Sequence, residues 1–368
     1  MLIRNYTLRF VTPAFLGNAE QSGQWRTPPI KALLRQWWRV AFAADQRGAN
    51  SSTALSAMRA AEGALFGVAA DSEGDSRKSP LRLRLDRWDV GAESKQKWGH
   101  QEVVPADKVR HCEVPQPIGP LLYLGYGPLE VATVPRPGQS RTDFATVLKK
   151  SAAIQAGESA KFSLAIPSGA EAARLDTALY PMHQYGTLGG RSRNGWGSFV
   201  LVPTDASATA FDCALDESLV TAWQDALKLD WPHAIGRDPK GLLIWQTPAL
   251  SDWKSVMRKL AEIKIGLRTQ FVFPDIRPPH PQPLDRHWLS YPITKHSTTA
   301  WDRNARLPNS LRFKVRAEAD GTLRGVIFHV PCLPPPQFKP DRRAIADVWQ
   351  HVHAFLDQPA QALRRSAA

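Results

Sequence analysis

The sequence of 368 residues is poor in cysteine, and its three cysteines lie far apart. Cys112, Cys213 and Cys332 form no C-x-x-C pair, so a disulfide framework and a zinc knuckle are both unsupported, and we expect three small buried hydrophobic residues. No apolar run approaches the roughly 20 residues of a membrane-spanning helix. The amino terminus alternates as in a strand and lacks the apolar centre of a signal peptide. These absences predict a cytoplasmic protein with no membrane partner.

The sequence also lacks the common signatures of nucleotide hydrolases and metalloenzymes. Residues 190–195 have the glycine spacing of a Walker loop, but Trp196 and Gly197 stand where that loop needs lysine and a hydroxyl residue. Neither G-x-S-x-G nor H-E-x-x-H occurs, and the ten histidines are scattered. We therefore predict no cofactor and no metal site. His183 is the one histidine placed for RNA cleavage, because it stands two residues before a basic glycine-rich segment.

Acidic residues are outnumbered by basic ones. There are 34 Asp and Glu against 47 Lys and Arg, which gives a formal charge of +13 and a pI near 9.9. This excess predicts a polyanionic partner, which by charge alone is RNA, DNA or an acidic protein surface. The thirteen Trp add the option of stacking on unpaired bases, although we expect most of them in the core.

The length of the chain predicts two domains. We place the first at residues 1–203, with an insertion rich in Pro, Gly and charge at about 86–140, and the second at 204–368 after a polar linker. Both halves mix strands with amphipathic helices, which predicts an α+β fold of two related domains. The predicted strands are 2–10, 81–85, 161–166, 199–202, 311–315 and 325–330, and the predicted helices are 30–44, 52–66, 142–151, 171–180, 217–228, 253–267 and 342–356.

The predicted helix at 30–44 carries a row of cations. Lys31, Arg35 and Arg39 step by four residues along one face, and Trp38 lies at the border with the apolar face. Like charges at this spacing repel each other by about 0.3 kcal/mol per pair, and a bound phosphate backbone would relieve that repulsion. The alternative is a solvated basic face whose carboxylate partners come from elsewhere in the chain.

A glycine-rich segment at 185–199 holds five glycines and two arginines and no acidic residue. Glycine has no Cβ, allows positive φ and exposes successive N–H groups, so such a loop suits close contact with phosphates. Arg191 and Arg193 would add fixed positive charge. The alternative is a glycine-rich turn between two strands.

A third basic segment spans residues 303–316, with five cations and no acid. Arg312, Lys314 and Arg316 alternate with apolar residues, so a strand here would present a basic row on one face and an apolar row on the other. This row either contacts RNA or protects an edge strand from aggregation.

Taken together, these segments resemble one family. Residues 10–17, 25–39 and 62–67 look like the amino-terminal signature of the first RAMP subunit of Cmr-type (type III-B) CRISPR effector complexes. Residues 186–197 resemble the glycine-rich loop of the RAMP superfamily, and residues 306–311 are more loosely similar to its carboxy-terminal basic strand. The sequence departs from the family at Ala32, where the family usually has Gly, in the order of Pro308 to Ser310, and in the insertion, which does not align.

The resemblance implies two tandem ferredoxin-like (RRM-type) domains at the end of a filament of RAMP subunits. It implies a non-catalytic, RNA-binding cap of an antiviral ribonucleoprotein, whose partners are the CRISPR guide RNA, the target RNA and other RAMP subunits. Combined with the basic segments, it indicates the following RNA-binding residues: Lys31, Arg35, Trp38, Arg39, Gly189, Gly190, Arg191, Arg193, Asn194, Gly195, Arg312 and Lys314.

Two other hypotheses remain open. One is a metal-independent RAMP endoribonuclease that processes guide precursors and depends on His183. The other is a scaffold whose basic face binds acidic protein neighbours and contacts RNA little, which predicts a shallow dependence of RNA affinity on salt.

Overall fold

The computed structural model describes residues 1–46, 51–69, 76–135, 142–206, 208, 210–211 and 214–366. Within them the helices are α1 (Thr27–Asp45), α2 (Ser51–Phe66), α3 (Lys95–Trp98), α4 (Pro120–Gly125), α5 (Ala170–Tyr185), α6 (Trp223–Ala226), α7 (Trp253–Thr269), α8 (Asp285–Leu289) and α9 (Arg342–Leu356). The strands are β1 (Leu2–Phe10), β2 (Arg82–Leu85), β3 (Glu93–Ser94), β4 (Leu129–Pro135), β5 (Thr142–Leu148), β6 (Ala152–Ala153), β7 (Ser159–Ile166), β8 (Phe199–Pro203), β9 (Val220–Ala222), β10 (Ile235–Asp238), β11 (Gly241–Leu242), β12 (Ile244–Gln246), β13 (Leu311–Ala317), β14 (Leu323–His329) and β15 (Arg364–Arg365).

Two four-stranded sheets dominate the architecture. The first has the order β2-β7-β1-β8 and the second the order β13-β14-β12-β15, and all neighbouring strands in both are antiparallel. In each sheet the chain makes a strand, a helical connection, two strands, a second helix and a last strand. The predicted mixture of strands and helices in both halves is confirmed.

Helix α1 forms where the apolar residues recur at the helical period. Pro28 and Pro29 occupy its first turn, where a missing N–H costs nothing. Its inward face buries Leu34, Trp37 and Ala41, and it packs against α5. On its outer side, Gln36 and Arg39 line cavities toward the glycine-rich segment and the carboxy-terminal half.

The buried apolar residues form two clusters, and each draws on both halves of the sequence. The cluster under β1 and β7 also takes Ile244 and Phe328. The cluster around α7 and α9 also takes Leu121 from the insertion and Trp196 from the glycine-rich segment. Residues 186–198 thus run between the two clusters.

Several elements differ from the predictions. The helix predicted at 142–151 is wrong, because Thr142–Leu148 is strand β5 and pairs along its whole length with β4. Residues 217–228 are not one helix, since Val220–Ala222 pairs with β10 as strand β9 before the short α6 begins. The insertion is not irregular throughout, because α3, α4 and β4 lie in it.

The cysteine prediction is also partly wrong. Cys112 is exposed and Cys332 is half-buried, while Cys213 lies outside the described residues. Residues 136–140 of the predicted insertion and residues 207 and 209 of the predicted linker lie outside them as well. No described helix has the length and apolar character needed to cross a bilayer.

Candidate nucleic-acid interface

The cations of α1 share one face, as predicted, but a carboxylate from α2 neutralises part of it. Glu62 accepts two hydrogen bonds from Arg39, one of them from Nη2 to Oε1 at 2.9 Å, and lies 3.9 Å from Nη1 of Arg35. Burial and the neighbouring charge of Arg35 lower the pKa of Lys31. The row therefore presents less free charge than its sequence indicates.

Trp38 is a correction to the predicted site. Its side chain is fully buried against Phe42 and Phe66, and its Nε1 donates to Oε2 of Glu171 at 3.1 Å. Stacking on a base is therefore wrong for this residue, because α5 and α2 cover the border of the helix face on which it lies. Trp37 is buried in the core, as predicted.

The glycines of the segment at 185–199 are needed for packing within the protein. Gly189 has φ +91°, and a Cβ on it would lie 2.6 Å from the carbonyl oxygen of Phe15. Gly195 has the same φ, and its Cβ would lie 3.0 Å from Sδ of Met257. The amide of Gly190 donates to Phe15, and that of Gly195 to Ser192. These two amides are therefore already used and are not candidates for phosphate binding.

Asn194 anchors the loop from the other side. Its Nδ2 donates to the carbonyl oxygen of Leu124 at 2.7 Å, and its Oδ1 accepts from Nζ of Lys264 at 2.5 Å. Arg191 is exposed, has φ +56° and donates from Nε to the carbonyl oxygen of Tyr126 at 2.5 Å. Both residues therefore face α4 and the insertion.

The glycine-rich loop lies along the outer edge of β13, which changes the interpretation of the basic strand. The N–H of Phe313 donates to the carbonyl of Arg193 at 3.1 Å, and the N–H of Val315 to Oγ of Ser198 at 2.8 Å. The predicted exposed row is therefore wrong, since both of its first two members are buried.

Lys314 is a second correction. It is fully buried, and its Nζ donates to the carbonyl oxygens of His183 and Phe199, the latter at 2.9 Å. Burial lowers the pKa of this amine well below its usual value. The two carbonyl oxygens supply hydrogen-bond acceptors for it within the protein. Direct contact with RNA is wrong for this side chain.

Arg193 and Arg312, the arginine pair, come together from segments 119 residues apart in the numbering of the chain. Arg312 is only 8% exposed, its Nη1 reaches Oε1 of Gln36 at 3.4 Å, and its Nε has no hydrogen-bond partner. Arg193 donates from Nη1 to the carbonyl oxygen of Asn309 at 3.2 Å. Neither side chain makes an ion pair with a carboxylate among the described residues.

The electrostatics of the pair follow from burial and from the absence of an ion pair with any carboxylate that the structure describes. Burial and then the charge of Arg193 lower the pKa of Arg312 to about 9, and burial lowers the pKa of Arg193. Both groups are still cations at neutral pH. A buried cation beside a second, half-buried one is unfavourable unless an anion approaches them.

Two cavities meet at the arginine pair. The first, of about 290 Å³, lies between α1 and the glycine-rich loop and is lined by Leu33, Gly189 and Ser192. The second, of about 240 Å³, lies toward the carboxy-terminal half and is lined by Arg39 and Ser310. Gln36 and the arginine pair line both.

Four predicted residues line these cavities, namely Arg39, Gly189, Arg193 and Arg312, and the other eight do not. Sequence reasoning missed Gln36, Asn309 and Ser310. Gln36 had a usable signal, because it is a polar residue one helical turn after Ala32 on the side of α1 not occupied by the apolar stripe. Asn309 and Ser310 had no sequence signal apart from their position beside basic residues.

His183 does not line either cavity. Its ring stacks on Phe211 at a centroid distance of 4.4 Å, and its Nδ1 accepts the N–H of Leu201 at 3.0 Å. Burial and the charges of Lys314 and Arg316 lower its pKa to about 3. Among the described residues, no group of three or more His, Cys, Asp or Glu side chains is arranged to hold a metal ion.

Comparisons with known proteins give structural similarities only. No protein-family model and no curated protein sequence matches the chain. The chain is similar to Cmr1 from Pyrococcus furiosus in its apo form, with 16% identity, 97% of this chain and 98% of that chain covered, and a TM-score of 0.44. It is similar to a chain in the type III-B Cmr-beta structure bound to cognate target RNA, with 12% identity, 96% and 99% coverage and a TM-score of 0.47. It is also similar to a chain of a type IV-B CRISPR complex, with 14% identity, 58% and 96% coverage and a TM-score of 0.30.

Proposed function

We propose that this chain is the first RAMP subunit of a Cmr-type (type III-B) CRISPR effector complex and that it binds RNA as a cap of that complex. The sequence motifs at 10–17, 25–39 and 62–67 support this assignment, and α1 and the glycine-rich loop that carry the family resemblance meet at one site. The partners are guide or target RNA and neighbouring RAMP subunits.

The proposal includes two tandem ferredoxin-like domains, at 1–203 and 204–368. The identical strand order of the two main sheets supports it, because each follows the strand, helix, strand, strand, helix, strand sequence of that fold. Each domain also lends residues to the hydrophobic cluster of the other.

The observation that carries the RNA-binding proposal is the arginine pair. Moving a cation out of water costs several kcal/mol unless it is paired, and a guanidinium does not escape this cost by losing its proton at neutral pH. Neutral oxygens at 3.2 and 3.4 Å are weak compensation. A phosphate between the two guanidinium groups would accept bidentate hydrogen bonds from both.

The path of the RNA follows from what lies beside the pair. The first cavity opens between α1 and the glycine-rich loop, and Lys31 directly precedes Ala32, which lines that cavity. Exposed Arg191 lies on the opposite side of the loop. We therefore place a phosphate at the arginine pair, with flanking phosphates toward Lys31 and Arg191.

His183 is not part of a ribonuclease site in this proposal. One of its ring nitrogens is engaged by the backbone of β8, and its lowered pKa makes it a poor base at neutral pH. The RNA is held, in this view, and not cut by His183.

The RNA-binding site is tested with the purified full-length chain and a labelled single-stranded RNA of about 12 nucleotides. Arg193→Gln combined with Arg312→Gln should weaken binding by about tenfold or more. It should also reduce the slope of log affinity against log salt by about one, because one phosphate contact is lost. Arg303→Gln combined with Arg306→Gln removes the same charge from two exposed positions and is the matched control.

Equal affinity and salt slope in the two double variants would contradict the site.

Membership of the complex is tested separately, by affinity purification of the chain from its native host and sequencing of the RNA that comes with it. Guides with a repeat-derived tag, together with other RAMP subunits, are expected; unrelated RNA without RAMP partners would disprove the assignment.

A further inference from the structure

The second cavity has charge of both signs on its walls. Arg193 and Arg312 form one wall, and Asp230 belongs to the same lining. Asp230 is half-buried and makes no ion pair with either arginine within the described part of the chain. A cavity that keeps a carboxylate and two guanidinium groups apart is complementary to a ligand with an anionic end and a hydrogen-bond-donating end.

The remaining lining is apolar or neutral and polar. Pro308, Leu333 and Trp349 supply apolar surface. Ser310 lies at the lining with its Oγ held 2.9 Å from Nε2 of His329, whose Nδ1 is 2.9 Å from Nε2 of His353. Burial lowers the pKa of both histidines, so this chain of hydrogen bonds is neutral and fixes the serine hydroxyl in place.

Size narrows the class of ligand. A cavity of about 240 Å³ is too small for a helix or a duplex and matches one nucleotide or less. A carboxylate selects among bases, because guanine presents two adjacent donors, N1–H and the N2 amino group, that match its two oxygens, whereas adenine and cytosine offer one amino group on that edge and uracil one imino group.

We propose that this cavity holds one guanosine nucleotide, with its phosphate on the arginine pair and the Watson–Crick edge of its base on Asp230. The inference rests on the proposed function, because the phosphate is the one assigned above to RNA. It adds base recognition to a site that would otherwise read only the backbone. The ligand is either a guanosine turned out of the RNA strand or a free guanosine monophosphate.

The test compares about 12-nucleotide oligouridine RNA with the same RNA carrying one central guanosine, using the full-length chain. Guanosine should increase affinity by about tenfold, a change of about 1.4 kcal/mol, which lies within the range for one bidentate base contact. Asp230→Asn should reduce this preference to within about twofold while the salt slope is unchanged, since no phosphate contact is lost. Glu217→Gln removes one negative charge from an exposed position and should keep the preference.

A second variant guards against an effect of Asp230 on folding. Leu333→Trp narrows the cavity without changing charge, and it should also remove the guanosine preference while oligouridine binds as before. Guanosine monophosphate titrated alone separates the two sources: binding with a measurable heat identifies the free nucleotide, and a preference seen only in the oligonucleotide identifies an RNA base.

The outcomes distinguish failure of this inference from failure of the proposed function. Oligouridine that binds with a normal salt slope, with no guanosine preference and no binding of the monophosphate, overturns the guanosine pocket and leaves the RNA site standing. Failure of both RNAs to bind overturns both.

Discussion

Two kinds of cation, each with one buried and one half-buried member, lie where the glycine-rich loop meets β13 and α7. Lys264 and Lys314 are given oxygen acceptors by the protein, from Asn194 in one case and from two backbone carbonyls in the other. Arg193 and Arg312 receive only weak neutral acceptors and line cavities. A lysine can also shed its proton when buried, whereas an arginine stays charged. Burial alone therefore does not identify a binding residue. A cation that lines a cavity and lacks strong acceptors in the protein is the better candidate.

The largest expected effect is on stability at Lys314. Lys314→Met leaves the carbonyl oxygens of His183 and Phe199 without their donor inside the protein, and each unpaired buried group costs about 1–3 kcal/mol. We expect the free energy of unfolding in denaturant to fall by about 2–4 kcal/mol. The same substitution at exposed Lys161 should change it by less than about 0.5 kcal/mol. Equal effects at the two lysines would show that Lys314 is not structural.

The next effect concerns the histidine beside Lys314. His183 has a pKa of about 3 in the folded protein against 6.5 in its ordinary state, so the unfolded chain binds more protons between these values. The stability that depends on neutral His183 is therefore fully present above about pH 6.5 and is lost as the pH falls toward about 3. Relative to that of His183→Phe, the free energy of unfolding of the native chain should fall by about 2 kcal/mol between about pH 7 and pH 5. Parallel pH profiles of the two proteins would contradict this placement of the ring.

Replacing one arginine of the pair with an apolar residue tests whether its charge is uncompensated in the folded protein. Arg312→Met should leave the free energy of unfolding within about 1 kcal/mol of the native value, or raise it, because it removes an uncompensated buried cation. Arg4→Met is the control, since Arg4 is paired with Asp176 at 2.8 Å and its loss should lower stability. A loss at Arg312 as large as that at Arg4 would place the arginine pair with the structural lysines.

Short-range patterns in the sequence predicted much of the fold. Strand β1 and helix α9 have the predicted bounds, because hydrophobic periodicity is a local property of the segment. Helix α1 was also accessible in this way, since the predicted range 30–44 lies within Thr27–Asp45. The β5 segment was not, since its pairing with β4 outweighs the local helical tendency.

The hydrogen-bond partners of the site residues could not be predicted from the sequence. Trp38 finds Glu171 on a helix 133 residues away, and Lys314 finds carbonyls more than 100 residues away. The loop that covers the edge of β13 likewise approaches it from the other half of the chain. A row of charges in sequence therefore identifies candidates for the site, while long-range packing decides which of them keep free donors.

The smallest expected effect separates the neutralised row on α1 from the arginine pair. Glu62→Gln frees Arg35 and Arg39 from their carboxylate and should raise RNA affinity by about two- to threefold, with a salt slope steeper by no more than about one. Glu217→Gln removes the same charge at an exposed site and controls for the change in net charge. If the two variants gain affinity equally, the α1 row acts only through the overall field of the protein. If Glu62→Gln gains more than the arginine pair loses, α1 and not the pair is the main phosphate contact, and the distinction between paired and unpaired cations fails for this surface.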